Sequence, residues 1–217
     1  MSNDPYYLRS EVSNSDLTKL KTYFMSKEKV MDYSNALRLG TLVDAIITEP
    51  GKIDHFKRTV DEYQYTLDEW AMAKEMQRAW RKNDFCKTME KDATFQHVSI
   101  NPDFRVQYDG IEISLQARCK WDLFKKLACF GGDLKSTACT TQKQFIESIE
   151  YFDYDRSRAW YMDLEGAKLD FIIGISKKNF QVFIVPIDRN HRIYKQGKAK
   201  YQELAFKYWT LFGGVAA

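Results

Sequence analysis

Apolar residues recur at helical spacing over much of the first hundred positions. Ser13-Asn14-Ser15-Asp16 offers N-capping side chains ahead of Leu17, Leu20 and Phe24, which predicts a first helix. A second is predicted from about Tyr33 to Glu49. It carries Leu37, Gly40, Thr41, Val43, Asp44 and Ile47 and is stopped by Pro50-Gly51. A third, from about Thr66 to Cys86, carries Trp70, Ala73, Met76, Ala79 and Trp80, an amphipathic stripe expected to face the core. Residues 1–100 are accordingly expected to be helical.

The period then changes to two. "FRVQYDG" and "IEISLQARCKWDLF" alternate and meet at Asp109-Gly110, a strong hairpin signal. "LACFGGDLKST" predicts a short third strand, and "TTQKQFIESIEYF" and "DYDRSRAWYMDLEG" return to helix. "LDFIIGIS" and "FQVFIVPID" predict two apolar strands joined by Lys177-Lys178-Asn179, and "KAKYQELAFKYWTLF" a closing amphipathic helix. This order predicts an α/β fold, a mixed sheet with helices packed on it. No repeat or linker interrupts it, so residues 1–217 are expected to form one domain, with a helical part (1–100) and a sheet core with flanking helices (101–217).

Composition removes several classes of function. Among 217 residues the formal net charge is +3, which permits a polyanionic partner without requiring one. No apolar run approaches the roughly 20 residues of a membrane span, and the N-terminus lacks the apolar stretch of a signal peptide. A cytoplasmic protein is expected. Cys86, Cys119, Cys129 and Cys139 form no C-x-x-C pair and have no histidine nearby in sequence, against a zinc site or a disulfide framework. His55, His97 and His191 are scattered. No P-loop, dinucleotide-binding or nucleophile-elbow pattern is present.

The candidate chemistry lies in "CKWDLFKKLACFGGDLKST". Asp133 and Lys135 stand two apart on the third predicted strand and share one face. Asp122 closes the second strand, and a hairpin would bring it toward Asp133. Two neighbouring carboxylates repel unless a cation neutralises them. A hard divalent ion, Mg²⁺ or alternatively Mn²⁺, suits oxygen ligands, to which the Leu134 carbonyl can be added. Lys135 could then orient or deprotonate a water, or stabilise negative charge on a phosphate. Gly131-Gly132 would let the backbone bend and a ligand approach closely.

These residues resemble the core of the PD-(D/E)xK nuclease superfamily, whose pattern is an acid, a gap, then (D/E)-x-K. The likeness is to the branch containing RecB nuclease domains, lambda exonuclease and the RecE-type exonuclease VIII. "LRLGTLVDAIITEP" resembles its first helical motif, with Asp44 where the family has a metal-binding histidine; "ARCKWD" resembles its basic-x-Asp strand end; "YDRSRAWYMD" resembles its Q-x-x-x-Y helix, with Ser157 at the glutamine place and Tyr161 at the tyrosine place. The resemblance implies a restriction-endonuclease-like mixed sheet flanked by helices. It implies a Mg²⁺-dependent deoxyribonuclease in which Asp44, Asp122, Asp133 and Leu134 hold the metal and Asp122, Asp133 and Lys135 are catalytic. Ser157 and Tyr161 would meet DNA, with Arg156 or Arg158 taking over a contact the absent glutamine would make. No cysteine follows Cys139, so the iron–sulfur cluster of some relatives is not expected.

Residues 176–200 hold Lys177, Lys178, Arg189, Arg192, Lys195, Lys198 and Lys200 against the single acid Asp188, a candidate phosphate-contact surface; Arg78, Arg81 and Lys82 beside Trp80 form a weaker one. The expected function is a DNA exonuclease acting on double-stranded ends in recombination or repair. As the resemblance implies, it would be phage-encoded or bacterial, partnered by a single-strand annealing recombinase, and homo-oligomeric. Two alternatives stay open: an endonuclease on branched or specific DNA, and a non-catalytic DNA-binding protein with a decayed site.

Overall fold

The computed structural model describes residues 4–24, 34–61 and 63–213. Local capping sets the helix starts. The Asp16 N–H donates to Ser13 Oγ (3.4 Å) and the Ser13 N–H to Asp16 Oδ2 (3.0 Å), opening α1 (Asn14–Phe24). α2 spans Ser34–Thr48 and ends just before Glu49-Pro50; Tyr33, the expected start, lies outside the described residues. A Thr66–Glu69 capping box opens α3 (Leu67–Lys82). The single helix expected through Cys86 is in fact two. Asn83, in extended conformation, ends α3 and its side chain accepts from the Cys86 N–H (3.1 Å) to open α4 (Asp84–Glu90).

Two further departures from the all-helical expectation occur before residue 100. Three two-residue antiparallel strands, β1 (Ile53–Asp54), β2 (Thr59–Val60) and β3 (Tyr63–Gln64), lie between α2 and α3, too short to show a period of two. The first long strand, β4 (Thr94–Tyr108), begins ten residues before "FRVQYDG". Pro102 hides it in the sequence. β4 is an edge strand with a register shift between Asn101 and Phe104, and both features accommodate a proline.

The main sheet continues with β5 (Ile111–Lys125), β6 (Phe130–Thr137), β7 (Leu169–Ser176) and β8 (Val182–Asp188), in order β4-β5-β6-β7-β8. Only the β6–β7 pair is parallel, so the sheet is mixed. Asp109 (φ 49°) and Gly110 (φ 76°) make the expected β4–β5 turn. α5 (Gln142–Tyr151) and α6 (Tyr154–Glu165) connect β6 to β7, and α7 (Arg192–Phe212) follows β8. Two apolar cores result. Leu17, Phe145, Trp160 and Tyr201 join Trp121 and Ile172 on one face; Leu42, Met76, Trp80 and Met89 join Leu134 and Ile173 on the other. The fold is the restriction-endonuclease-like α/β architecture expected, with helices α1–α4 ahead of the sheet. Among the described residues no helix is long and apolar enough to cross a membrane.

Glycines hold two close approaches. A Cβ at Gly131 would fall 2.1 Å from the Trp121 ring, whereas at Gly132 the nearest atom is the flexible Met89 Cε at 3.0 Å. Gly131 therefore makes room for a core indole, not for a ligand. α7 starts six residues before the expected Lys198 because Gly197, which reads as a helix breaker, is a packing residue. A Cβ there would sit 2.0 Å from the Asp155 carbonyl oxygen, where α7 crosses α6. Asp163 on α6 locks that crossing. It accepts from Tyr194 Oη (2.6 Å), Tyr201 Oη (2.5 Å) and Arg189 Nη1 (2.8 Å) and pairs with Lys198 Nζ (3.0 Å).

Gly131→Ala should destabilise the fold by about 1–3 kcal/mol in chemical denaturation, and Gly132→Ala by clearly less. Burial pushes the Asp163 carboxyl up, but the Tyr194 and Tyr201 hydroxyls and Lys198 outweigh it and hold it below its ordinary value. With the folded value depressed, the stabilisation is complete above the unfolded pKa of about 4 and is lost as pH falls through the folded value. Asp163→Asn should therefore cost about 2 kcal/mol at pH 7, and the gap from wild type should close as melting is followed below about pH 4.

Candidate functional site

The sheet forks between β5 and β6. The two strands pair only at Leu123↔Gly132, Phe124↔Gly131 and Lys125↔Phe130. Beyond Leu123 each opened edge finds another partner. On the β5 side the chain near Val12 fills in: the Val12 N–H donates to the Gln116 carbonyl and the Arg118 N–H to the Val12 carbonyl, both at 2.8 Å. On the β6 side the Leu134 N–H donates to Asp122 Oδ2 at 2.7 Å. Asp122 thus substitutes a side-chain oxygen for a strand carbonyl at the branch point, and an unpaired backbone donor is avoided.

Asp133 lies one residue further along β6 and is buried. Its two oxygens meet two cations. Lys135 Nζ pairs with Oδ2, and Arg158 Nη2 lies 3.1 Å from Oδ1. The Arg158 side chain, 1% exposed, reaches in from α6, lies over the Tyr161 ring (4.0 Å to its centroid) and pairs on its other side with Asp170 of β7 (3.4 Å). Burial raises the Asp133 carboxyl, but Arg158 and Lys135 outweigh it, so it is held below its ordinary value. Asp170, fully buried and paired with Arg158, is pushed up to about 7 by burial.

α2 carries Asp44 into the same electrostatic neighbourhood from about eighty residues upstream. Its carboxylate accepts from Thr48 Oγ1 (3.2 Å) and Gln96 Nε2 (3.3 Å), and burial pushes it up to about 6. Asp122 is raised well above the ordinary range, by burial first and then by the charges of Asp44 and Asp133. Lys135 is pulled down by burial and pushed up more strongly by Asp133 and Asp122, which keeps it an ammonium at neutral pH. Burial first, and neighbouring carboxylates after it, oppose ionisation of Asp44 and Asp122, whereas Arg158 and Lys135 favour it at Asp133.

Among the described residues no three His, Cys, Asp or Glu side chains stand in an arrangement that could hold an ion. The donor types nevertheless suit a hard cation: Asp44, Asp122 and Asp133 offer carboxylate oxygens and Leu134 a carbonyl. Lys135 and Arg158 are the cations paired with Asp133 here.

The other candidates are scattered. Arg156 and Arg158, expected to reach DNA, are 2% and 1% exposed. Arg156 donates to Asn14 Oδ1 (2.9 Å) and Thr18 Oγ1 (2.5 Å), so it fastens α6 to α1. Both guanidiniums are engaged internally, because such long side chains on a helix sandwiched in the core can reach only buried partners. Ser157 donates to the Tyr154 carbonyl (2.9 Å), and Tyr161 packs edge-on against Trp121. The basic stretch also divides. Arg189 and Lys198 bind Asp163, and Lys200 binds Asp153 and Asp155. Lys177 and Lys178 form the β7–β8 turn, where the Lys177 N–H donates to the Thr137 carbonyl (2.8 Å) at the end of β6. Sequence inspection missed Asp170. A lone acid inside the apolar run "LDFIIGIS" was the available signal, since a buried carboxylate implies a buried cation.

Replacing Arg158 with methionine keeps much of its volume but leaves Asp133 and Asp170 without their shared cation. Chemical denaturation should show a loss of about 3–5 kcal/mol, with Asp170→Asn in the same chain recovering part of it.

No family model and no curated protein matches the sequence. Solved structures do match in fold. A protein from Eubacterium rectale named as a candidate exonuclease superposes with a TM-score of 0.58 at 15% identity, covering 90% of this chain and 74% of its own. A phage-related exonuclease from Haemophilus somnus 129PT superposes with a TM-score of 0.47 at 9% identity, covering 93% of this chain and 83% of its own. The chain therefore shares the mixed α/β fold of the Eubacterium rectale protein, and carries D-x-K on the central strand of its forked sheet.

Proposed function

We propose that the protein is a metal-dependent deoxyribonuclease that hydrolyses phosphodiesters at double-stranded DNA ends, in recombination or repair. The observation that carries this reading is the fork itself, where Asp122, Asp133 and Lys135 meet at a break in the sheet and Asp44 arrives from a helix. Mg²⁺ held by Asp44, Asp122, Asp133 and the Leu134 carbonyl would supply Lewis acidity toward a phosphate oxygen and lower the pKa of a water. Asp133 holds Lys135 in place by their ion pair, and the Lys135 ammonium is placed to stabilise negative charge on a phosphate oxygen or to orient a water by donating a hydrogen bond to it. Asp122, tied to the Leu134 N–H, keeps one oxygen turned toward β6 and fixes the width of the fork. Lys177 and Lys178 are the basic residues of the 176–200 stretch best disposed to neutralise backbone phosphates. As the resemblance implies, a single-strand annealing recombinase is the proposed partner and a homo-oligomer the proposed assembly.

A second reading, a nucleic-acid-binding protein with a decayed site, is favoured by one observation: both Asp133 oxygens are already matched by Lys135 and Arg158. End-labelled linear duplex incubated with Mg²⁺, Mn²⁺ or EDTA separates the two. The nuclease reading expects cleavage with either metal, none in EDTA, and little attack on closed circular DNA. Asp133→Ala and Lys135→Ala should each lower the rate at least about a hundredfold, with the fold checked by circular dichroism. Calorimetric Mg²⁺ binding should weaken in Asp133→Ala and largely persist in Lys135→Ala. Near wild-type cleavage by either folded variant would remove these residues from the chemistry.

A further inference from the structure

Two basic residues of α3 and the aromatic residue of the β7–β8 turn line one groove. A groove of about 430 Å³ runs between α3 and the start of β8, lined by Arg78, Lys82, Asn83, Phe180 and Val182, with Glu75 at one wall. Glu75 is already paired with Arg78, one turn along α3. Lys178 is exposed on the turn that carries Phe180, and Lys177 beside it is half-buried. The groove thus holds Lys82 and the Arg78–Glu75 pair, a small positive excess, with an aromatic ring set in its wall and Lys178 on the adjoining turn.

Phe180 is poorly explained by folding. Its backbone is in the left-handed region (φ 58°), which disfavours a bulky residue and which glycine or asparagine would occupy at lower cost. Its side chain is 37% exposed and belongs to neither apolar core. Yet its position is rigidly built. The Phe180 N–H donates to the Ser176 carbonyl (3.0 Å), and buried Ser176 Oγ accepts from the Lys178 N–H (3.2 Å) and the Asn179 N–H (3.3 Å). Asn179 Nδ2 donates to the Thr140 carbonyl (3.0 Å), anchoring the turn to the segment after β6. The turn closes the carboxyl end of the parallel β6–β7 pair, and β6 carries Asp133 and Lys135.

We propose that this groove binds a single-stranded segment of nucleic acid, with one unpaired base stacked on Phe180 and the flanking phosphates on Lys82, Arg78 and Lys178. The inference takes its ligand class from the nuclease reading and adds the strand form. A fixed, partly exposed ring flanked by cations suits base stacking with backbone neutralisation, a combination tolerant of sequence. Bases inside a duplex are stacked on their neighbours and cannot offer a face to the ring, so the occupant is a strand freed from its complement.

The test is fluorescence anisotropy of a labelled oligothymidylate of about twelve nucleotides, and of a labelled blunt duplex, in EDTA so that no cleavage intervenes. Phe180→Ala should weaken oligothymidylate binding about tenfold, Phe180→Trp should preserve or tighten it, and neither should move duplex affinity by more than about twofold. Phe180→Asn should match the alanine variant in binding and melt no lower than wild type, which excludes unfolding as the cause. Lys82→Ala and Lys178→Ala should each flatten the slope of log affinity against log salt by about 0.7. Wild-type oligothymidylate binding by Phe180→Ala, or an equal loss on the duplex, overturns the proposal. A protein that cuts DNA but shows no Phe180 effect loses only the groove; one that binds through Phe180 but never cuts loses only the nuclease reading.

Discussion

The placement of Asp133 inside the protein is the constraint on which the rest of the structure turns. An unpaired carboxylate at that depth would not stay ionised. Arg158 and Lys135 make it tolerable, and each imposes a further requirement. Arg158 is itself too buried to carry its charge against one partner alone, and Asp170 on the neighbouring strand supplies the second. Tyr161 and Trp121 cover the guanidinium with aromatic faces. Trp121 in turn needs the space above Gly131. A chain of necessity thus runs from one acid to a glycine on the same strand.

The same acid cluster explains why the sheet is not continuous. β5 and β6 pair for three residues and then separate, and each side of the opening is satisfied locally, by the chain at Val12 and by the carboxylate of Asp122. A fully zipped sheet would have given Leu134 a carbonyl partner in place of the Asp122 carboxylate. The fork combines a structural solution to unpaired backbone groups with buried acids, of which Asp44 and Asp122 are raised first by burial.

Positive charge is distributed by a different rule. Arg156, Arg158, Arg189, Lys198 and Lys200 all serve internal acids and tie α6 and α7 to their surroundings. Other basic residues face solvent, among them Lys82 on α3 and Lys178 on the β7–β8 turn. The modest net charge of +3 conceals this division, because most of the cations near the core are already matched.

Much of the architecture follows from local pattern. The period-two runs, the Asp109-Gly110 turn and the spacing of Asp122, Asp133 and Lys135 were legible because strand alternation and turn chemistry act over a few residues. The approach of Asp122 to Asp133 followed from pairing adjacent strands. Elements masked by a single residue were not legible. Pro102 obscured the start of β4, and Gly197 the start of α7, since a proline on an edge strand and a glycine at a helix crossing look like breaks when neighbours are unknown. Which arginines are buried could not be read at all. Arg156, Arg158, Lys177 and Lys178 are equally basic in the sequence, and only packing separates guanidiniums enclosed between a helix and a sheet from ammonium groups on a turn. The sequence alone determined the order of elements from β4 onward and the types of group at the fork. Tertiary structure decided which charges pair, because that depends on contacts between residues dozens of positions apart, as Arg158 with Asp133 and Asp44 with Gln96 show.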